Sequence, residues 1–393
     1  MPARQFTDSD RIAVVKIPLL GGLSASCFSR RHWQKNPLLV REAIPGFEGV
    51  VDFRVMVELA GRDDCESRLL LRAGRHWTVE HGPFARRYLS RQSRRNWTLL
   101  VQGVNLFVPA ARQLLSRFDF IPYWRLDDLM VSYAPPGGGV GPHFDSYDVF
   151  LLQGPGQRRW KVGRQDDLTL VDGAPIKILR RFVPQGECIL GPGDMLYLPP
   201  GFAHDGVAVD ACYTYSIGFR ALSHRELVSQ FLIFLEERLK PSGCYEDPDL
   251  AAQTHPARIG PAMIAQVQRT LGSIRWNRSD VAEFLGTHLT EPKAQALFSP
   301  PRNPVPMKTF LRGARNRGLE LALPAQMLYS GSRLFINGES LAINAGEARP
   351  LRALADARRL TGRDVPRPGT AAEVLYRWYR SGYILPATRT VVT

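Results

Sequence analysis

The sequence has no long apolar run. Stretches such as Val149–Leu152 and Phe231–Leu235 are among its longest, far short of the roughly 20 residues a membrane-spanning helix needs. The N-terminus, Met-Pro-Ala-Arg-Gln-Phe-Thr-Asp-Ser-Asp, lacks the apolar core of a signal peptide, so a soluble, cytoplasmic protein with no membrane contact is expected. Cysteine is scarce and scattered. Cys27, Cys65, Cys188, Cys212 and Cys244 make an odd count with no C-x-x-C pair, which argues against a disulfide framework or a cysteine zinc site and for free thiols. Acidic residues are outnumbered: 37 Asp and Glu against 51 Lys and Arg leave a net charge of +14. Such a surplus favours contact with RNA or RNA-rich assemblies. Internal repeats are absent, and so is any long low-complexity segment. The 393 residues, 44% of them hydrophobic, suffice for two or three domains with a sizeable core.

The stretch that organises the chain is Gly137-Gly138-Gly139-Val140-Gly141-Pro142-His143-Phe144-Asp145. Residues two apart on a strand point to one side, so His143 and Asp145 can reach one point together. A third group from another strand would complete a 2-His-1-carboxylate triad. His204, in Pro199-Pro200-Gly201-Phe202-Ala203-His204, is the candidate. Two neutral imidazoles and one carboxylate suit Fe(II) and leave positions open for a bidentate co-substrate and dioxygen. One strand later comes Gln157-Arg158-Arg159-Trp160-Lys161-Val162. Alternation turns Arg158 inward with Trp160 and Val162, and Arg159 outward. An arginine inside an apolar barrel needs an anion, and the far carboxylate of 2-oxoglutarate would satisfy it with a bidentate pair. Ser132, Thr214 and Ser216 could add hydroxyls.

Around these residues the spacing predicts strands at 12–17, 37–41 and 97–101, helices at 28–34, 51–60 and 109–118, and edge strands within 68–81. Arg86, Arg87, Arg91, Arg94 and Arg95 cluster about Tyr88, a solvated face or a contact with RNA phosphate. From 127 to 220 short apolar strands alternate with Gly/Pro turns, the pattern of a barrel or sandwich with the histidines at its mouth. The candidates are 129–134, 149–153, 158–162, 187–190, 195–198 and 214–219. Helices are expected at 224–240, capped by Ser223, and at 261–274 and 280–289. A proline-rich linker, 299–306, leads to a basic tail of helices and a small sheet that resembles a winged helix. Its helices are placed at 307–315, 349–360 and 371–381, and its strands at 319–323, 326–330, 333–336 and 383–385.

The motifs Asp127-Asp128-Leu129-Met130, the glycine loop with His143 and Asp145, Tyr147-Asp148-Val149-Phe150, Arg159-Trp160 and Pro199–His204 resemble the JmjC-type ribosomal oxygenases, in particular the bacterial arginine hydroxylases of a ribosomal protein. The resemblance implies an α+β chain: a double-stranded β-helix (JmjC, cupin-like) over 1–222, a helical dimerisation region over 223–303 and a winged-helix-like domain over 304–393. It implies a cytoplasmic homodimer using Fe(II) and 2-oxoglutarate to hydroxylate an arginine of large-subunit ribosomal protein sixteen, with possible contact to ribosomal RNA. It puts the iron ligands on His143, Asp145 and His204, the 2-oxoglutarate arginine on Arg158 and a co-substrate serine on Ser132. For the substrate guanidinium, Asp119, Tyr147, Asp148 and Asp205 stay open. A histidyl hydroxylase or lysyl demethylase would share the site. A non-catalytic RNA-binding or assembly module would use the charge instead.

Overall fold

The computed structural model of the chain describes residues 17–74, 76–239, 242–248, 250–252 and 254–387. All but Ile17 of the strand expected at 12–17 lies outside them.

The first half is a barrel of two sheets. Its strands are β1 (Leu38–Val40), β2 (Ser67–Ala73), β3 (His76–His81), β4 (Trp97–Val101), β5 (Leu126–Ala134), β6 (His143–Phe144), β7 (Val149–Gln153), β8 (Arg158–Gly163), β9 (Gly186–Leu190), β10 (Met195–Leu198), β11 (Ala203–Ala208) and β12 (Cys212–Phe219). An eight-stranded sheet runs β1-β10-β7-β12-β5-β4-β2-β3, and a four-stranded sheet runs β6-β11-β8-β9. Every assigned pairing is antiparallel, from β1 on β10 to β8 on β9, which suits a double-stranded β-helix.

The larger sheet is covered on both faces. Every residue of β4, β7 and β10 is buried, so these strands read as continuous apolar runs. On β7, Val149 and Leu151 face the barrel interior with Trp160, Leu190, Leu196 and Leu198. Phe150 and Leu152 face outward into a core shared with helices α1 (Ala25–Arg31), α2 (Phe53–Ala60) and α4 (Pro109–Leu115). A short helix, α3 (Arg86–Leu89), lies between α2 and β4. Phe28 and Phe118 pack on Phe150 in tilted pairs with ring centroids 5.5 and 5.1 Å from it. Side-chain caps start two of these helices, Ser24 on α1 and Asp52 on α2. Only β3 of the hairpin at 67–81 is an edge strand; β2 pairs with β4 as well.

Beyond the barrel lie α5 (His224–Arg238), α6 (Pro261–Gly272) and α7 (Arg278–Thr290). Ser223 caps α5, accepting from Glu226 N at 3.0 Å. A capping box of Asn277 and Asp280 starts α7. Gly286 of α7 lies so close to Phe335 that a Cβ would meet its ring.

The last unit comprises α8 (Met307–Arg317), β13 (Leu319–Leu321), β14 (Met327–Ser330), β15 (Arg333–Ile336), β16 (Glu339–Ala342), α9 (Ala345–Ala357), β17 (Arg359–Leu360), α10 (Thr370–Arg380) and β18 (Ile384–Pro386). It has its own core around Phe310, Leu351, Leu375 and Trp378. The two-residue turn Asn337-Gly338 has φ of 49° and 85°, the primed turn that matches hairpin twist. This unit is tied to the barrel: Tyr123 OH donates to Asp356 O at 3.0 Å and Arg220 Nη2 to Gln326 Oε1 at 3.0 Å, while Lys293 Nζ, in the segment before it, lies 2.8 Å from Asp127 Oδ1. The five cysteines are free thiols. Among the described residues no helix is long and apolar enough to cross a membrane.

Candidate metal and co-substrate site

The four-stranded sheet builds the site. Strands β6 and β11 pair so that His143 stands directly opposite His204. Their rings come to 4.2 Å between centroids. Asp145 follows β6 and brings Oδ2 to 3.8 Å from His204 Nε2. Ligand atoms of all three residues lie within 4.8 Å of one another, close enough to share one metal ion.

Two glycines make this approach possible. Gly141 has φ of +77°, open to glycine at no steric cost, and it turns the chain into β6. A Cβ on Gly206 would collide with the Trp160 ring. Its absence lets the indole lie across β11 and pack 5.8 Å from the His204 ring.

Both imidazoles are oriented by a backbone carbonyl. His143 Nδ1 sits 2.9 Å from Gly141 O, and His204 Nδ1 sits 3.0 Å from Phe202 O. A proton on each Nδ1 is donated to that oxygen, which leaves each Nε2 lone pair free to bind a metal. Burial, helped by neighbouring His143, lowers His204 to about 4, so its ring is neutral at physiological pH. Two imidazoles and a carboxylate, with no cysteine or fourth protein ligand beside them among the described residues, match the donor set for Fe(II) with open positions.

A cavity of about 460 Å³ opens from this triad. Arg158 lines it from β8, only 3% exposed, while Arg159 points out and pairs with Glu187 at 3.2 Å. Arg158 Nε and Nη2 are buried without a hydrogen-bond partner. A buried guanidinium left so is costly unless an anion completes it. Ser132, Thr214 and Ser216 line the facing wall from the larger sheet. Thr214 Oγ1 is engaged, donating to Gln153 Oε1 at 3.3 Å. Ser132 makes one long bond of 3.5 Å to Thr214 O.

The four open candidates for a substrate guanidinium separate clearly. Tyr147 lines the cavity, and burial with the nearby Asp145 carboxylate raises its hydroxyl. Asp148 is fully buried elsewhere, held by Tyr197 OH at 2.6 Å, Gln34 Nε2 at 3.0 Å and Arg125 Nη2 at 3.1 Å. It fixes the fold. Asp119 is exposed away from the cavity. Asp205 alternates to the opposite side of β11 from His204 and does not line the cavity either.

Lining residues that sequence spacing alone did not single out include Arg68, Gln102, Asp128 and Lys177. Asp128 is 4% exposed, accepts from Gly103 N at 3.0 Å and from the Gln102 side chain, and burial raises its carboxyl above the usual range. Gln102 Oε1 is a buried acceptor with no donor.

A double-stranded β-helix with a His-x-Asp…His cluster at one end defines a cupin-like metal-site protein. A family model described as a JmjC domain matches residues 113–227, and one described as a ROXA-like winged helix matches 273–384. The chain belongs to the JmjC-type ribosomal oxygenases. It is 33% identical over 318 residues to the ribosomal protein uL16 3-hydroxylase of Escherichia coli, covering 80% of this chain and 84% of that one. It is 37% identical over 233 residues to a probable ribosomal oxygenase of Haemophilus influenzae, 58% of this chain and 55% of that one. The solved structure of YcfD, a ribosomal oxygenase from Escherichia coli, in complex with cobalt and 2-oxoglutarate, superposes with a TM-score of 0.77 at 32% identity, over 91% of this chain and 96% of that one.

Proposed function

We propose that this chain is an Fe(II)- and 2-oxoglutarate-dependent oxygenase that hydroxylates an arginine side chain of ribosomal protein uL16. The observation that carries the reading is the orphaned guanidinium of Arg158 in the same cavity as the His143, Asp145 and His204 cluster. One group asks for a metal and the other for a carboxylate, and 2-oxoglutarate bridges the two. The sequence and structural likeness to enzymes described as a uL16 hydroxylase and as a 2-oxoglutarate complex supports it.

In this reading His143, Asp145 and His204 hold the iron by Nε2, a carboxylate oxygen and Nε2. Bound iron with 2-oxoglutarate and dioxygen supplies the oxidising chemistry, turning a substrate C–H into C–OH while 2-oxoglutarate becomes succinate and carbon dioxide. Arg158 holds the far carboxylate through two parallel N–H bonds. Ser132 and Ser216 offer hydroxyls to the co-substrate, with Thr214 a supporting contact. Trp160 keeps the His204 side dry. Gln102 Oε1, buried without a donor, and the Asp128 carboxylate, which accepts from Gly103 N and from Gln102, make a demand for N–H donors beside Tyr147. A guanidinium meets it better than an imidazole or a methylated ammonium does, which favours arginine over a histidyl hydroxylase or a lysyl demethylase.

We divide the chain into a catalytic barrel over 1–222, a dimerisation region over 223–303 and a winged-helix domain over 304–393, with α7 of the middle region leaning on the third. Val228, Leu232 and Ile233 of α5 and Met263, Ile264 and Leu271 of α6 are all more than two-fifths exposed. That apolar face is the two-fold contact of a cytoplasmic homodimer. Light scattering that finds monomer at micromolar concentration removes the dimer.

Mass spectrometry tests the activity. The protein is incubated with Fe(II), 2-oxoglutarate, oxygen and a uL16 fragment, beside His143→Ala. The expected result is one added oxygen on an arginine, absent in the variant. Oxygen on histidine, or loss of a methyl group, overturns the arginine assignment. Iron-dependent succinate with no modified fragment overturns the substrate and keeps the oxygenase.

A further inference from the structure

The excess positive charge is not spread evenly. Residues 304–393 carry fourteen Lys and Arg against six Asp and Glu, so +8 of the +14 falls in the last 90 residues. From Pro292 to Leu319 there is no acidic residue at all, while Lys293, Arg302, Lys308, Arg312, Arg315 and Arg317 lie within it.

The fold gathers part of this charge on one surface. Helix α8 buries Phe310, Leu311 and Ala314. Helical spacing then sets Lys308, Arg312 and Arg315 along one exposed flank. The segment 362–367 is held against that flank. Arg315 Nη2 donates to Pro366 O at 3.1 Å, and a Cβ on Gly362 would collide with the Arg315 carbonyl. Arg363 and Arg367, both exposed, are thereby brought beside α8.

Some barrel cations are neutralised: Arg54, Arg62, Arg159 and Arg180 each meet a carboxylate at 3.2 Å or less. Among the described residues the exposed barrel cluster Arg86, Arg87, Arg91, Arg94 and Arg95 is not, and it is the surface against which the α8 flank is compared. Among the described residues Lys308, Arg312, Arg363 and Arg367 have neither an ion pair nor a side-chain hydrogen bond. Asp364 lies in the same segment, its carboxylate accepting from Thr361 Oγ1 at 2.6 Å, and against its single charge five cations gathered on one flank call for an extended anion.

We propose that the α8 flank and segment 362–367 form a phosphate-binding surface for RNA. Four of the five cations are arginines, whose planar fork fits phosphate oxygens, and winged-helix relatives of the helix-turn-helix set helices against nucleic-acid backbones. The choice of RNA over an acidic protein rests on the functional reading above: a ribosomal protein is met beside ribosomal RNA.

The test uses the full chain and a ribosomal RNA stem-loop, with fluorescence anisotropy over a salt series. Lys308→Gln/Arg312→Gln/Arg363→Gln/Arg367→Gln is compared with Arg86→Gln/Arg87→Gln/Arg91→Gln/Arg94→Gln/Arg95→Gln, which removes the exposed barrel cluster. The first variant is expected to bind at least ~10-fold more weakly at about 0.1 M salt, with the slope of log K against log salt shallower by about 3. The second should bind within a few fold of the unmodified protein, and both should melt at its temperature. No binding by the unmodified protein, unchanged binding by the first variant, or equal binding of polyglutamate through the same residues overturns the proposal. Hydroxylation of an isolated uL16 fragment is read in parallel. If it fails while RNA binding follows the expected pattern, the RNA surface stands and the enzymatic reading falls.

Discussion

The two sheets of the barrel divide its labour. The eight-stranded sheet is buried on both faces through β4, β7 and β10, and its outer face carries the aromatic cluster of Phe28, Phe118, Phe150 and Tyr197. The four-stranded sheet is shorter and half-exposed, with only two residues in β6. Yet His143, His204 and Arg158 all stand on it, and Asp145 follows β6 directly. The larger sheet contributes hydroxyls, apolar walls and, at the proposed substrate side of the cavity, Arg68 and Asp128. Rigidity and chemistry are thus separable: the thick sheet holds the thin one in register, and the thin one presents the groups that would bind metal and co-substrate.

Substitutions should break this comparison differently on each side. The largest effect is expected for His204→Ala, with product formation reduced by at least ~1,000-fold because the metal site loses a ligand. Its melting temperature should fall by only a few degrees, since what is lost is one hydrogen bond to Phe202 O and the ring's packing on Trp160, at the edge of the barrel interior. A melting temperature lower by ten degrees would show that the thin sheet also carries the fold. Next comes Phe150→Ala on the thick sheet, expected to cost about 3–5 kcal/mol of stability in denaturant titration. The activity of the remaining folded fraction should be intact; inactive but folded protein would contradict the division. The smallest effect is expected for Ser132→Ala, a few-fold rise in KM for 2-oxoglutarate from losing one hydrogen bond, with kcat unchanged.

Much of the thin sheet's chemistry was legible in the sequence. His-x-Asp after a glycine loop, a histidine after Pro-Pro-Gly and an arginine in phase with Trp160 are local patterns, and the fold brings these residues together. The strands that carry them were harder. β6 is two residues long, and β11 reads Ala-His-Asp-Gly-Val-Ala, with glycine and aspartate that disfavour strands. Only their pairing makes them strands. Apolar runs such as 149–153 and 195–198 matched the observed strands residue for residue, because burial on both faces leaves a continuous signal. Position in the chain misled at Asp148, which sits in a family motif but is spent on Tyr197, Gln34 and Arg125. Arg68 reaches the cavity from β2 and Gln102 from the residue after β4, and nothing local marks a residue whose role comes from distant packing. At 68–81, alternation suggested edge strands because half-burial looks the same whether a strand has one neighbour or two.

The most direct measurement is calorimetric titration of 2-oxoglutarate into protein loaded with Mn(II) in place of iron, comparing the unmodified chain with Arg158→Met. The methionine should keep metal binding and leave the empty protein as stable or more so, because an unpaired buried charge has been replaced by an apolar group. It should weaken 2-oxoglutarate by about 100-fold, the scale of a lost charge-assisted bidentate pair. If Arg158→Met binds 2-oxoglutarate as tightly as the unmodified protein, Arg158 is not the anchor and the co-substrate reading of the cavity is wrong.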